Sequence, residues 1–189
     1  FGKIVLGEND GVGDSYGVAS TDLIAEEVFA SGTGALTNPK PDIAGLGADS
    51  PKIAYHLPAM GGLTAGISHT NSGATGATDT TQYGAKYSMS AGGAAITIGA
   101  ATGTTEAATQ DTDSQQMGIK VTSGNITAAV SQSTYEGSGF DEESTGAAIS
   151  FKVSDAMTVG LHTTEAEDDT NSQEYTNSGA EIQYTIASG

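Results

Sequence analysis

The most regular feature of this sequence is a two-residue alternation of apolar and polar side chains. It occurs in four segments, residues 83–89, 117–122, 147–153 and 180–186. In the first segment the apolar set is Tyr83, Ala85, Tyr87 and Met89. Successive side chains of a strand point to opposite faces of the sheet, so each segment predicts a strand with one apolar and one polar face.

The first three segments are each followed by a short turn and a second alternating strand. The turns lie at residues 91–93, 123–125 and 154–156 and contain Gly, Ser, Asn and Asp, which tight hairpins need. The hairpin unit recurs, since Lys120 follows Lys86 by 34 residues and Lys152 follows Lys120 by 32. Repeated meander hairpins of this kind predict a barrel, a sandwich or a solenoid.

The connections between the hairpins differ from the turns within them. They are longer, at residues 103–114, 136–144 and 165–175, and contain three, four and five acidic residues. Short turns therefore lie at one end of the predicted sheet and acidic connections at the other. A transmembrane β-barrel has this asymmetry, with short turns at one rim and longer loops at the other.

The polar face of the predicted strands carries mainly Thr, Ser, Gly and Gln, with a single Lys in each hairpin. This composition fits a water-filled lumen, and the shallow apolar face fits contact with lipid. The pattern favours a transmembrane barrel, and it leaves a secreted or cell-surface β-sandwich or solenoid as the alternative. That alternative is a structural or adhesive protein with acidic, cation-binding loops.

Composition removes several other classes of protein. The chain has 189 residues, 6 Lys, no Arg and 23 acids, for a net charge of −17, and only 37% of its residues are hydrophobic. The negative charge argues against nucleic-acid binding. The absence of Cys excludes a disulfide framework and thiol chemistry. Low hydrophobicity with high charge is also typical of disorder, but the regular alternation argues against that interpretation.

The first fifty residues have a different pattern. Residues 1–7 predict a short strand, and the polar stretch 8–50 predicts a long loop in which residues 22–30 form a short helix. A connection of this length is usually functional or disordered. Strands resume at residues 52–57 and 63–70, which brings the predicted total to about ten.

The order of these elements resembles the general porins of Gram-negative outer membranes, the sixteen-stranded trimeric class. The segment FGKIVLGENDG at residues 1–11 is similar to the strand before the family's constriction loop. The next forty or so residues resemble the long third loop, which folds into the barrel. The segment SPKIAYHLPAMGGLTAGISHT at residues 50–70 is similar to the hairpin after that loop. The resemblance covers most of the chain.

The resemblance implies an all-β fold, a transmembrane antiparallel up-and-down β-barrel with a long infolded constriction loop. We expect residues 1–189 to form one partial domain, about ten of sixteen strands, in which 8–50 is the constriction loop and 51–189 a strand meander with acidic outer loops. The implied function is a passive outer-membrane pore for small hydrophilic solutes and ions. The implied partners are outer-membrane lipid, lipopolysaccharide and two further copies in a homotrimer, with no cofactor required.

In a constriction of this kind, acids on the infolded loop oppose bases on the barrel wall. The chain has no Arg, so the arginine cluster usual in the family is not expected. The candidate pore-lining bases are Lys3, Lys52, Lys86, Lys120 and Lys152. The candidate acids on the opposite side are Glu8, Asp10, Asp14, Asp22, Glu26 and Glu27. Each lysine equally fits a simpler role, the solvation of a polar strand face.

The remaining candidates in the sequence are a metal site and a catalytic site. The densest acidic clusters, Asp141, Glu142 and Glu143 with Glu167, Asp168 and Asp169, offer candidate ligands for Ca²⁺, and they also fit a solvated acidic rim. A catalytic site is not expected, because His56, His69 and His162 lie far apart and no nucleophile elbow or HExxH motif is present. The pair Gly11-x-Gly13 follows a strand but lacks the third glycine of a nucleotide-binding loop.

Overall fold

A computed structural model describes residues 1–23, 50–71, 78–107, 110–137 and 139–186 of the chain. The described residues form ten strands and one helix, α1 (Val12–Tyr16), with a single turn of 3₁₀ helix at Ser20–Leu23. The strands are β1 (Lys3–Asn9), β2 (Ser50–His56), β3 (Leu63–Thr70), β4 (Asp79–Ala91), β5 (Ala94–Glu106), β6 (Thr112–Ser123), β7 (Ile126–Gly137), β8 (Phe140–Ser154), β9 (Met157–Asp168) and β10 (Gln173–Tyr184).

All ten strands belong to one antiparallel sheet whose spatial order is the order of the sequence. The sheet is therefore an up-and-down meander, as predicted, and it is open, with β1 and β10 at its two edges. The turn between β4 and β5 shows why the hairpins are tight. Gly92 and Gly93 have φ angles of 58° and 84°, and this pair of positive angles is what a two-residue type I′ turn requires.

The register of the ladders separates the sheet into two faces. We define the inner face as the one that carries α1 and the outer face as the opposite one. Directly paired residues share a face, so the pairs Lys52↔Thr70, Gln82↔Gly103 and Gln116↔Ser133 lie inside. The outer face carries large apolar side chains that are exposed, among them Ile4, Leu6, Ile53, Ile67, Tyr83, Tyr87, Ile98, Met117, Val130, Ile149, Phe151, Leu161 and Ile182.

The packed apolar core is small and lies on the inner face. Val12 and Tyr16 of α1 pack against Ala54 of β2, with Val5 of β1 beside them. The other buried hydrophobic residues are chiefly alanines. The low hydrophobic content of the sequence is therefore consistent with a wall that carries one infolded segment instead of a central core.

The predicted ends of the strands were wrong at the acidic rim. Most residues of the expected connections belong to strands, so the links shorten to residues 107–111, 138–139 and 169–172. Strands of 12–15 residues extend about 40–50 Å, and a tilt near 40° leaves a height of roughly 30–38 Å, more than the ~25 Å apolar band of a membrane barrel. Above that band the outer positions of the ladder carry polar and acidic residues, as at Gln132, Thr134 and Glu136 of β7, so an outer apolar series cannot mark the end of the strands.

The first fifty residues also differ from expectation. The first strand begins at Lys3 and ends at Asn9, and α1 forms at Val12–Tyr16, where no helix was predicted. Of the predicted helix at 22–30, the described part is the end of the 3₁₀ turn, and residues 24–49 lie outside the described residues. Within the described ranges, no helix has the length and apolar character needed to cross a membrane.

Candidate functional site

The candidate site is the inner wall together with the segment that lies on it, residues 11–20. Four inner-face glycines make room for this segment: Gly66, Gly84, Gly99 and Gly118. A Cβ on Gly66 would lie 2.9 Å from Tyr16 Cε2, and one on Gly84 would lie 2.8 Å from both Tyr16 Cβ and the Val12 carbonyl oxygen. We call these four residues the glycine row. Each is needed because backbone or side-chain atoms of the segment occupy the space of its missing Cβ.

Wall side chains also satisfy the backbone of the segment. The Val12 N–H donates to Ser68 Oγ at 3.1 Å, and the Gly13 N–H donates to Gln82 Oε1 at 3.0 Å, and both hydrogen bonds are buried. The first N–H groups of a helix have no partner within the helix. Strands β3 and β4 therefore provide the caps that the sequence before α1 does not supply.

Two further contacts fix the segment beyond its helix. The Tyr16 hydroxyl and His56 Nδ1 of β2 are hydrogen-bonded at 2.7 Å, and burial raises the pKa of this tyrosine. The Ser20 N–H donates to Ser131 Oγ of β7 at 2.8 Å, and Ser131 Oγ donates to Ser20 Oγ at 3.1 Å. The segment thus spans the inner wall from β2 to β7.

The five strand lysines occupy inner-face register positions. Lys3 pairs with His56, Lys52 with Thr70, Lys86 with Gly99, Lys120 with Thr97 and Ala129, and Lys152 with Thr158. Their surroundings differ. Lys52 is buried, and Lys86 Nζ donates to the Ser15 carbonyl oxygen of α1 at 2.9 Å. Lys120 is half-buried.

Lys152 lies beside the turn between β8 and β9. Its Nζ is 2.8 Å from Asp155 Oδ1, and both side chains are more than half exposed. The hydrogen bond from Lys152 and its positive charge lower the pKa of Asp155. Exposed pairs of this kind contribute little to stability.

The acids predicted to oppose these lysines have different positions. Asp10 follows β1 and Asp14 lies on α1, and both are exposed. Glu8 is exposed at the outer-face register position opposite Pro51. Asp22 lies in the 3₁₀ turn, and Glu26 and Glu27 lie outside the described residues.

The six candidate Ca²⁺ ligands do not converge. Glu142 and Asp168 are paired on the inner face, whereas Asp141, Glu143 and Glu167 alternate onto the outer face and Asp169 lies in the following turn. Asp168 accepts hydrogen bonds from the N–H groups of Thr170 and Asn171 and from Asn171 Nδ2, so it organises that turn. The described part of the chain holds no group of three or more His, Cys, Asp or Glu suited to a metal ion.

The three histidines are dispersed. His56 and His162 occupy the inner face of β2 and β9, and His69 lies on the outer face of β3 with its Nδ1 at 2.9 Å from Thr81 Oγ1. Sequence reasoning missed the residues that seat the infolded segment, above all Ser68, Gln82, Ser131 and the glycine row. The signal available in the sequence is the recurrence of small residues at alternate positions of the polar face, a pattern that fits a water-filled lumen equally well.

Comparison with known proteins agrees with this architecture. The sequence matches the family described as Gram-negative porin over residues 1–189. Among solved structures, OmpT of Vibrio cholerae aligns with a TM-score of 0.65 and 16% identity, covering 99% of this chain and 63% of that one. Its loop L8 deletion mutant aligns with a TM-score of 0.63 and 14% identity, covering 99% and 66%.

The chain thus spans about two thirds of the length of these structures. An anion-selective porin from Comamonas acidovorans also aligns, with a TM-score of 0.48 and 14% identity over 97% of this chain and 73% of that one. A search of curated protein sequences gave no match. The two OmpT alignments, with TM-scores of 0.63 and 0.65, establish the fold, an up-and-down porin barrel wall. With the family match over its whole length, the chain belongs to the Gram-negative porin family, whose members are non-enzymatic channels of the outer membrane.

Proposed function

We propose that the complete protein forms a passive pore in the outer membrane, through which small hydrophilic solutes and ions diffuse. The observation that supports this best is the difference between the two faces of the wall. Large apolar residues are exposed on the outer face, while the inner face carries Ser, Thr, Gln, Gly and Lys and holds the segment 11–20. An outer apolar surface fits lipid, and a polar inner surface fits water.

Within this pore, the infolded segment narrows the channel and charged side chains bias the passage of ions. Asp14 on that segment and Asp10 directly before it are exposed, and the strand lysines lie on the same side of the sheet as the segment. Opposite charges across a narrow aqueous space create a transverse field that orients dipolar solutes. We assign Asp22, Glu26 and Glu27 to the acidic side of this transverse field. Glu8 is not assigned to it, because its register position is on the outer face.

We also propose that the complete protein assembles as a homotrimer, the usual state of porins, and contacts lipid and lipopolysaccharide through its outer face. The supporting feature is the apolar band of the outer face. It occupies the part of each strand that is next to the short turns, and toward the acidic rim it is followed by Thr, Gln and then acidic residues. On β7 the outer series from the turn is Ile126, Ala128, Val130, Gln132, Thr134 and Glu136.

Single-channel recording in a planar lipid bilayer tests the pore. The complete protein, purified in detergent and shown to be folded by its heat-modifiable electrophoretic mobility, should give stepwise ohmic currents. Folded protein that gives no current steps across repeated reconstitutions would show that no open pore exists.

The charge arrangement is tested in the same apparatus. Lys120→Glu should move the reversal potential in a salt gradient toward cation preference, because two units of negative charge are added on the inner wall. The matched control is Ser123→Glu, on the outer register of the same strand, which should leave the reversal potential close to that of the wild type. Equal shifts in the two variants would remove Lys120 from the narrow zone.

A further inference from the structure

Three alternate residues of β4 underlie the helix of the infolded segment. Gln82, Gly84 and Lys86 all occupy inner-face positions, whereas the intervening Tyr83 and Ala85 face outward. Residues four apart on a strand are separated by about 13 Å, and a five-residue helix is about 7.5 Å long. One strand is therefore long enough to contact both ends of α1.

The contacts at the two ends are complementary. At the N-terminal end of α1, Gln82 Oε1 accepts from the Gly13 N–H at 3.0 Å, and Ser68 Oγ is also within 3.4 Å of that oxygen. At the C-terminal end, Lys86 Nζ donates to the Ser15 carbonyl oxygen at 2.9 Å. Between them, Gly84 leaves the space that Tyr16 Cβ and the Val12 carbonyl oxygen occupy.

A helix of this length is not stable by itself, because the cost of nucleation exceeds the gain from its few hydrogen bonds. Its terminal groups must be satisfied by other parts of the protein. A cation at the C-terminal end both donates a hydrogen bond and interacts favourably with the partial negative charge of the last carbonyls. The ammonium group of Lys86 therefore faces the segment and not the open interior.

We propose that Lys86 is a positioning residue, which fixes the C-terminal end of α1 on the inner wall and so holds the shape of the constriction. Lys120, two strands away on the same face, pairs with Thr97 and Ala129 and makes no hydrogen bond or salt bridge to α1 within the part of the chain that the structure describes, so its charge is available to the aqueous interior. The sequence pattern alone gives both lysines the same role, pore lining. This inference assigns them separate tasks, and its consequence for ion flow depends on the proposed pore.

A buried thiol measures whether the segment leaves the wall. Val12, the first residue of α1, is fully buried against the inner wall, and the chain has no Cys. Val12→Cys therefore introduces a single thiol that reacts with an aqueous reagent only when the segment opens. In this background, Lys86→Met should raise the labelling rate about tenfold, as expected for loss of a charged hydrogen bond. Lys86→Arg should restore the slow rate, and Lys120→Met, which removes the same charge, should not change it.

This labelling requires no ion current, so it distinguishes failure of the inference from failure of the pore proposal. An unchanged labelling rate in folded Lys86→Met protein, or an equal increase in Lys120→Met, would overturn the positioning role. In bilayer recordings the two variants should affect different quantities. Lys120→Met should give the larger change in reversal potential, because it removes a charge from the aqueous interior. Lys86→Met should give the larger increase in open-channel current noise, because the segment is held less firmly.

Discussion

Neighbouring residues of one strand of this protein face opposite surroundings, and the two faces follow different rules. On β5, Ile98 is exposed on the outer face, while the adjacent Gly99 is buried beneath the backbone of Tyr16 and the side chain of Val18. The outer face carries apolar side chains of many different shapes. The inner face near α1 carries small residues and residues with hydrogen-bonding groups. In a porin wall the surrounding solvent therefore determines which residues suit the outer face, and steric fit to the infolded segment determines which residues suit the inner face.

The largest expected effect comes from placing a charge on the outer face. Ala128→Lys should lower the free energy of unfolding from a lipid bilayer by about 2–4 kcal/mol, because Ala128 is the central residue of the outer apolar series Ile126, Ala128 and Val130. Thr127→Lys, on the inner face of the same strand, should change it by less than about 1 kcal/mol. Denaturant titration of folding into liposomes measures both. Equal losses in the two variants would mean that the faces do not differ in their contact with lipid.

A smaller effect is expected from filling the glycine row. Gly84→Val should lower the free energy of unfolding by roughly 1–3 kcal/mol, because the added atoms overlap Tyr16 Cβ and the Val12 carbonyl oxygen. Ala85→Val adds a side chain at the next position but on the outer face, where it should be neutral or slightly stabilising. Equilibrium unfolding in detergent provides the comparison. If Gly84→Val matched Ala85→Val, steric fit would not explain the inner glycines.

The smallest effect concerns one hydrogen bond. Tyr16→Phe removes the hydroxyl that contacts His56 Nδ1 at 2.7 Å, and this should cost about 0.5–1.5 kcal/mol of local stability. Amide exchange of the Gly17 N–H, which donates to the Gly13 carbonyl oxygen at 2.8 Å, should accelerate roughly 2–10-fold. Tyr83→Phe on the outer face is the control and should leave that exchange rate unchanged. Acceleration in the control, or none in Tyr16→Phe, would contradict an anchoring role for the hydrogen bond between Tyr16 and His56.

The sequence predicted the sheet well because a strand repeats its pattern every two residues. Ten strands, their meander order and the inner position of Lys86, Lys120 and Lys152 all follow from that alternation. The strand ends at the acidic rim did not follow. There polar and acidic residues occupy the outer positions, and the aromatic residues Tyr135 and Phe140 lie on the inner face, so the pattern of the apolar band does not continue.

The helix α1 could not be predicted from the sequence, for a different reason. Its sequence, VGDSY, is flanked by Gly11 and Gly17 and has no side-chain cap of its own, so local propensity favours a loop. Its hydrogen-bond partners Ser68, Gln82 and Lys86 lie 56–71 residues away in the sequence. Tertiary contacts therefore stabilise this helix, and the sequence of α1 and its neighbours does not indicate those contacts.

Each strand of the wall should have one face toward lipid and one toward water, and a spin-label scan along β6 measures this alternation residue by residue. The chain has no Cys, so single cysteines at residues 117, 119, 120, 121 and 122 can each carry a label in the protein reconstituted in lipid. Position 118 is left as Gly, because the Val18 carbonyl oxygen occupies the space of its missing Cβ. Labels at 117, 119 and 121 should be relaxed by oxygen, and labels at 120 and 122 by a water-soluble nickel chelate. Accessibility that shows no such alternation, or equal access of the nickel chelate to all five positions, would contradict the two-faced wall.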